Sequence, residues 1–110
     1  VLTNVPDNAE LLRTEIFGPV AVLNSFHDME DVVARANDVS YGLASYLFTN
    51  NQNTIDYVQP RLEVGLVSIN IATPISENVP FGGVKESGYG YEGGTVGFQS
   101  FQHFKLIHKG

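Results

Sequence analysis

The 110-residue chain contains no cysteine. This absence excludes disulfide bonds, thiolate-bound metal ions and a cysteine nucleophile within these residues. Basic residues are also few, with 6 lysines and arginines against 12 aspartates and glutamates and a net charge of -6. Because binding to a nucleic-acid backbone depends on clustered basic side chains that neutralise phosphates, we expect no nucleic acid as partner.

Uncharged apolar runs are short throughout the chain. None approaches the roughly 20 residues that a membrane-spanning helix needs, and the N-terminus lacks the basic start of a signal peptide. We therefore expect no membrane partner and a cytoplasmic location. The chain has no initiating methionine and starts in a segment typical of a strand, so we expect it to be a fragment, a processed product or a piece made for expression.

The residues that are present indicate a small globular unit. Apolar residues make up 43% of the chain and charged residues 16%, a balance typical of folded rather than disordered proteins. At 110 residues the chain is one domain at most, or a piece of one. The 3 histidines lack the spacing of metal ligands, and we predict no metal site.

The hydrophobic pattern alternates between strands and helices. We predict a first strand over 1–5 and a short helix over 9–13 that Asn8 caps. Further strands are predicted over 20–26, 44–49 and 64–71.

Two helices connect these later strands. The first begins at the N-cap Asp28, carries apolar residues at helical spacing and ends near Val39, with Gly42 as its stop. The second contains Pro60, which should kink or shorten it because proline lacks an N–H donor. Strand, helix, strand, helix and strand in short succession predict an α/β fold with a parallel βαβαβ sheet and right-handed crossovers.

The stretch from Val79 to Gly94, called the glycine-rich segment below, interrupts this pattern and contains six of the 11 glycines. Glycine is costly in a helix or strand, so such a cluster predicts positive φ angles or the close approach of another backbone or a ligand. A segment of this kind must be held from outside. We expect the rings of Phe81, Tyr89 and Tyr91 to hold it.

One match to a nucleotide-binding motif lies in this segment. Residues Gly88 to Gly93 spell G-x-G-x-x-G, the dinucleotide fingerprint. That fingerprint requires a strand before it, a helix after it and an acid about 20 residues further on. Lys85, Glu86 and Ser87 precede the match, and the sequence ends before the acid. We interpret these glycines as structural.

Three motifs, in this order and spacing, resemble those of the aldehyde dehydrogenase superfamily. They are Glu15-Ile16-Phe17-Gly18-Pro19-Val20, then Ala36-Asn37 with Tyr41-Gly42-Leu43-Ala44, and finally Asn70 followed by Pro80-Phe81-Gly82-Gly83-Val84-Lys85-Glu86-Ser87-Gly88-Tyr89-Gly90-Tyr91-Glu92-Gly93-Gly94. The resemblance spans the whole chain and corresponds to the C-terminal part of a family member several times longer. The last motif is most similar to bacterial dehydrogenases of the succinate-semialdehyde type.

The resemblance implies a binding site for NAD or NADP, between which the sequence does not choose. Glu15 matches the family glutamate that accepts hydrogen bonds from the nicotinamide ribose hydroxyls, and a carboxylate with two acceptor oxygens suits a vicinal diol. Phe17 matches the ring that lies against the nicotinamide. The alternatives are a solvated acid at Glu15 and core packing at Phe17.

The resemblance also implies part of a pocket for a small-molecule aldehyde. Phe81 and Ile75 match positions that line this pocket, and Ser76 could donate a hydrogen bond to a substrate carboxylate, as a loop serine does in succinate-semialdehyde enzymes. A surface serine is the alternative at Ser76. Lys85, Glu92 and the histidines are interpreted as structural or solvated.

The family's chemistry requires a cysteine thiolate, an oxyanion donor, hydride transfer to the cofactor and a glutamate base. In the family, the cysteine, the base and the dinucleotide-binding domain lie upstream of the position of Val1, so we predict no catalytic residue in this chain. Residues 1–80 would belong to the α/β catalytic domain, 81–100 to a glycine-rich loop with its connecting segment, and 101–110 to an oligomerisation strand. We therefore expect a homo-oligomer joined through residues 101–109.

Two rival interpretations remain open. The first is a non-catalytic α/β interaction module that keeps the scaffold without the chemistry. The second is a small independent enzyme, which is disfavoured because no nucleophile and base can be paired among these residues. The reading frame upstream of Val1 separates the dehydrogenase from the module, because only the dehydrogenase requires a cysteine-containing domain there.

Overall fold

The computed structural model describes residues 1–72 and 76–110. Six short strands and three α-helices are formed within these residues. The strands are β1 (Leu2–Thr3), β2 (Val22–Leu23), β3 (Tyr41–Gly42), β4 (Ala44–Leu47), β5 (Leu66–Ile69) and β6 (Val84–Lys85), and the helices are α1 (Met29–Asn37), α2 (Gln52–Val58) and α3 (Gly94–Gly97). Short 3₁₀ turns cover Glu10–Leu12, Gln59–Arg61 and Phe98–Phe101.

The first strand pair is parallel, with β1 against β2. A side chain extends the pair: the backbone N–H of Val5 donates to Asn24 Oδ1 at 2.9 Å, and Asn24 Nδ2 donates to the carbonyl of Val5 at 2.8 Å. The helix predicted over 9–13 is the 3₁₀ turn, and the prediction that Asn8 caps it was wrong. Ala9 is the N-cap and no side chain caps the turn, while Asn8 lies inside the preceding turn, which the Ala9 N–H closes by donating to the carbonyl of Pro6.

Helix α1 begins as predicted. The carboxylate of Asp28 accepts the N–H of Asp31 at 2.8 Å, which confirms Asp28 as the N-cap. The helix ends at Asn37. The prediction that Gly42 stops it was wrong, because Gly42 is buried in β3, which pairs in the antiparallel direction with β6.

Strands β4 and β5 form the longest pair and run parallel, with helix α2 between them in the sequence. The effect predicted for Pro60 is confirmed. The α-helix ends at Val58 and the chain continues as a 3₁₀ turn over Gln59–Arg61. The amide of Asn70 extends this pair by bonding to both the N–H and the carbonyl of Thr49 at 2.9 Å.

The predicted single βαβαβ sheet is corrected to three separate strand pairs among the described residues. The α/β class and the parallel pairing of neighbouring units are present, in β1·β2 and β4·β5. Strand β2 pairs with β1 instead of joining β4. With only two residues, β2 offers few ladder hydrogen bonds to a second neighbour.

The core is small and lies where α1 and α2 pack together. Its buried apolar residues are Val33 of α1, 8% exposed, and Val58 of α2, 5% exposed. Large apolar side chains remain exposed around it, including Phe26, Tyr46 and Phe48. An exposed apolar surface of this extent is typical of a region that other protein covers.

Two further features concern the described residues as a whole. No helix in 1–72 or 76–110 has the length and apolar character to cross a membrane. Within the same ranges, no group of histidine, aspartate and glutamate side chains could hold a metal ion. The last residues, 102–110, have no helix or strand and are exposed along their length.

Candidate functional site

Backbone hydrogen bonds close the glycine-rich segment on itself. Phe81 and Glu92 exchange two hydrogen bonds, with N–H to carbonyl distances of 2.8 and 2.7 Å. The expectation that Tyr89 holds the segment was wrong, because its side chain is fully exposed. Gly88 and Gly90 flank Tyr89 with φ angles of 113° and 89°. The turn that these two glycines permit carries the ring out into solvent.

Close backbone approach explains two other glycines. A Cβ built on Gly65, just before β5, would overlap the carbonyl oxygen of Gly82. A Cβ on Gly93 would lie 2.7 Å from the carbonyl oxygen of Val79, and Gly93 also has a φ of 68°. The first contact seats the segment against the start of β5, and the second closes it on itself.

A cavity of about 1010 Å³ opens between this segment and the turns that follow it. Its wall consists mainly of glycines and aromatic residues, and Glu77 and Glu92 also line it. Among the lining residues are Leu43, Phe81, Ser87, Tyr91, Phe98 and Phe101. Phe81 itself is half-buried. The cavity can therefore present a flat apolar wall with a few polar atoms, the composition common to small-molecule sites.

Glu15 and Phe17 lie on a different loop, ahead of β2. Two consecutive tight turns shape this loop, because Gly18 N–H donates to the carbonyl of Ile16 at 2.9 Å and Val20 N–H donates to that of Gly18 at 2.8 Å. Glu15 is exposed and the Phe17 ring is 95% exposed. A ring that is almost fully exposed contributes nothing to a core among the described residues.

The loop before Phe81 contains the remaining predicted residues. Ser76 is exposed, its carbonyl accepts the N–H of Val79 at 2.9 Å, and its hydroxyl oxygen accepts the N–H of Asn78 at 3.3 Å. A serine hydroxyl that accepts one hydrogen bond can still donate its own proton. Ile75 lies outside the described residues.

Of the predicted site residues that the structure describes, Phe81 lines this cavity, whereas Ser76, Glu15 and Phe17 do not. Glu77, which was not predicted, is also among its lining residues. The family resemblance also predicts that Glu15 and Phe81 face one shared cleft that an absent region completes, and this stays a prediction. Ser87 was missed as a residue of the cavity wall, and the signal for it was its place between Gly83 and Gly88 in the glycine-rich segment.

Comparison with known proteins agrees with this description. Residues 1–107 match the aldehyde dehydrogenase family. The chain is 44% identical over 107 residues to the NADP(+) succinate-semialdehyde dehydrogenase of Saccharomyces cerevisiae and 41% identical over 107 residues to that of Escherichia coli. Each alignment covers 97% of this chain and 22% of the relative, so the chain spans about a fifth of the length of these relatives.

Solved structures show the same fold. An aldehyde dehydrogenase from Bacillus cereus, described as an NAD+ complex, superposes with a TM-score of 0.83 and 41% identity, covering 90% of this chain and 20% of the other. A succinate-semialdehyde dehydrogenase from Burkholderia pseudomallei superposes with a TM-score of 0.82 and 37% identity, covering 89% of this chain and 20% of the other. With a family match over residues 1–107, we conclude that this chain belongs to the aldehyde dehydrogenase family.

Proposed function

We propose that this chain is the C-terminal portion of an NAD(P)-dependent aldehyde dehydrogenase that oxidises an aldehyde, such as a semialdehyde, to a carboxylate. The observation that carries the proposal is the loop of Glu15 and Phe17, whose carboxylate and ring both face solvent within a chain of this family. Exposure of a large ring has no benefit for the folding of this chain. An exposed aromatic ring suits a surface that binds a flat ligand.

The residues of this loop fit the nicotinamide riboside end of the cofactor. The Glu15 carboxylate has two oxygens free to accept hydrogen bonds from ribose hydroxyls, and the Phe17 face can limit the movement of an adjacent flat ring. When bound, the cofactor supplies the hydride acceptor for aldehyde oxidation. The role of this loop is to orient it. NAD and NADP remain equal candidates, because the named relatives include NADP(+) and NAD(P)+ enzymes.

The aldehyde would lie against the wall that contains Phe81. Phe81 supplies an apolar face, and its backbone is fixed by the two hydrogen bonds to Glu92. Ser76 could donate its hydroxyl proton to the distal carboxylate of a semialdehyde, and Ile75 is proposed as a further pocket residue. The nucleophilic cysteine and the base belong, in this proposal, to a region upstream of Val1.

The proposal predicts a large effect at Glu15. In the complete polypeptide that carries these residues, Glu15→Ala should raise the KM for NAD(P) about 10- to 100-fold, because each hydrogen bond to a charged group contributes roughly 1.5–3 kcal/mol and 1.4 kcal/mol is a factor of ten. The KM for the aldehyde should change little. Steady-state kinetics with each substrate varied in turn measure both values.

Glu10→Ala is the matched control, since Glu10 is an exposed glutamate in the preceding 3₁₀ turn. It should leave both KM values within twofold of the parent enzyme. An equal cofactor KM in the Glu15 and Glu10 variants would show that the loop of Glu15 does not bind the cofactor.

Residues 101–109 are proposed to pair with another subunit. Phe104, Leu106 and Ile107 are 92%, 92% and 80% exposed, so the single chain gives these apolar side chains no cover. A strand is stable only against a partner edge. Deleting residues 103–110 from the complete enzyme should therefore dissociate the oligomer, as measured by light scattering. An unchanged mass, with circular dichroism that shows a folded protein, would contradict the role of this tail.

A further inference from the structure

Lys85 has an unusual set of contacts for a residue beside a glycine-rich segment. Its ammonium group lies 2.9 Å from the carbonyl oxygen of Asn37, 3.3 Å from that of Val39 and 2.7 Å from Oε2 of Glu63. The side chain is 25% exposed. Three acceptors for three ammonium protons form a complete binding arrangement rather than a loose surface contact.

The three acceptors belong to two separate parts of the chain, the C-terminal end of α1 and the connection between α2 and β5. Asn37 is the last residue of α1 and Val39 follows it, so their carbonyls lack partners within the helix, and a cation there is favoured by the helix dipole. Glu63 lies between α2 and β5. The amide of Asn37 already joins these parts, because it donates to the carbonyl of Arg61 at 2.8 Å and accepts the N–H of Glu63 at 2.9 Å.

Lys85 also has a backbone conformation that costs free energy. Its φ is 55°, in the left-handed region, which disfavours a residue with a Cβ by roughly 1–2 kcal/mol. Glycine is common on either side in the sequence, yet a lysine occupies this position. The contacts of the ammonium group offset this cost, and a glycine would make none of them.

Two hydrogen bonds next to Lys85 connect it with the cavity wall. The N–H of Glu86 donates to the carbonyl of Ser40 at 2.9 Å, and the N–H of Gly42 donates to the hydroxyl oxygen of Ser87 at 2.9 Å. Ser87 lines the same cavity as Phe81. The backbone path at 85–87 therefore determines the position of the cavity wall relative to α1.

A simple surface ion pair is the competing explanation. Glu63 is 59% exposed, and an exposed lysine–glutamate pair contributes only about 0–1 kcal/mol. That explanation accounts for the Glu63 contact alone. It does not account for the two carbonyl acceptors or for the left-handed backbone.

We infer that Lys85 is a positioning residue that locks the glycine-rich segment, and with it the wall of Phe81 and Ser87, onto the C-terminal end of α1. The inference rests on the proposed function for its link to the aldehyde. The anchoring itself is a property of the described contacts.

Two substitutions in the complete polypeptide test the anchoring. Lys85→Met keeps a side chain of similar length and removes the ammonium group, whereas Glu63→Gln removes the ion pair and leaves both carbonyl contacts. Hydrogen exchange followed by NMR should show the amides of Glu86 and Gly42 exchanging at least about tenfold faster in Lys85→Met. The amide of Ile69 in β5 should be unchanged, and Glu63→Gln should resemble the parent at all three positions.

Kinetics provide the second readout. Lys85→Met should raise the KM for the aldehyde about tenfold and leave the KM for NAD(P) within twofold, because small displacements of a positioned wall have large effects on productive binding. Uniformly faster exchange that includes Ile69, or unchanged exchange at Glu86 and Gly42, would overturn the anchoring. Faster exchange at those two amides in a polypeptide without dehydrogenase activity would support the anchoring and refute the proposed function.

Discussion

The 110-residue chain, assayed alone with NAD(P) and a semialdehyde, should show no turnover above the blank. The family's chemistry depends on a thiolate that attacks the aldehyde, and the chain contains no cysteine. The cavity is lined by aromatic rings, glycines, Leu43, two serines and two glutamates, and the proposed function assigns no nucleophile and base pair to them. The measurement is the rise in absorbance of the reduced cofactor.

The control for this assay is the complete polypeptide, or the E. coli relative, at the same concentration. Under the proposed function, only the proteins with the upstream region should reduce the cofactor. Turnover by the 110 residues would contradict the assignment of the catalytic groups to that region. An upstream reading frame without a cysteine-containing domain would instead favour the non-catalytic interaction module.

Gly65→Ala should be the most destabilising single substitution among the described glycines. The new Cβ would overlap the carbonyl oxygen of Gly82. Its nearest neighbours are backbone atoms of Gly82 and Gly83, which cannot rotate away as a flexible side chain can. Overpacking of this kind typically costs about 1–3 kcal/mol, and a forced separation of two backbone segments should reach or exceed the upper end. With a urea slope of about 1–3 kcal/mol/M, the unfolding midpoint should fall by about 1 M or more.

Gly18→Ala is the matched control for stability. A Cβ at Gly18 would have its nearest neighbour, a methyl group of Ile16, at 3.8 Å, which is ordinary van der Waals contact. Its midpoint should stay close to that of the parent. Equal midpoints for the two variants would show that the contact between Gly65 and Gly82 does not seat the glycine-rich segment.

Local features of the fold followed from neighbouring residues. Asp28 was identified as an N-cap because a carboxylate at that position can accept a backbone N–H three residues later, and it does. Pro60 ended α2 for a similarly local reason, its missing donor. In both cases the physical cause acts within one helical turn, so no distant residue could change the outcome.

Features that depend on distant partners could not be predicted in the same way. Gly42 had the sequence position of a helix stop, yet it pairs with Val84, 42 positions further along, and its neighbourhood leaves no room for a side chain. Tyr89 was expected to hold the glycine-rich segment because it is aromatic, yet its side chain is fully exposed. The partner of Gly42 lies far outside the window over which local preferences act, and the exposure of Tyr89 depends on how the whole segment folds.

The same distinction between local and distant causes applies to the candidate site. Glu15, Phe17 and Phe81 were identified from their motif positions, and Ile75 and Ser76 from their place in the loop before Phe81. The cavity around Phe81, the tight turns that expose Phe17 and the contacts of Lys85 required coordinates. Motif spacing states which side chains are present, whereas hydrogen bonds between remote backbone segments decide which of them share a surface.

Residue order alone established the family resemblance, the α/β class, the start of α1 at Asp28 and the lack of any thiol for catalysis. Only the folded structure shows how the strands pair, which glycines lie against other backbone segments and that Lys85 has a left-handed backbone. The reason is the range of the forces involved: caps and proline act over a few residues, while packing and strand pairing join segments that meet only once the chain has closed upon itself.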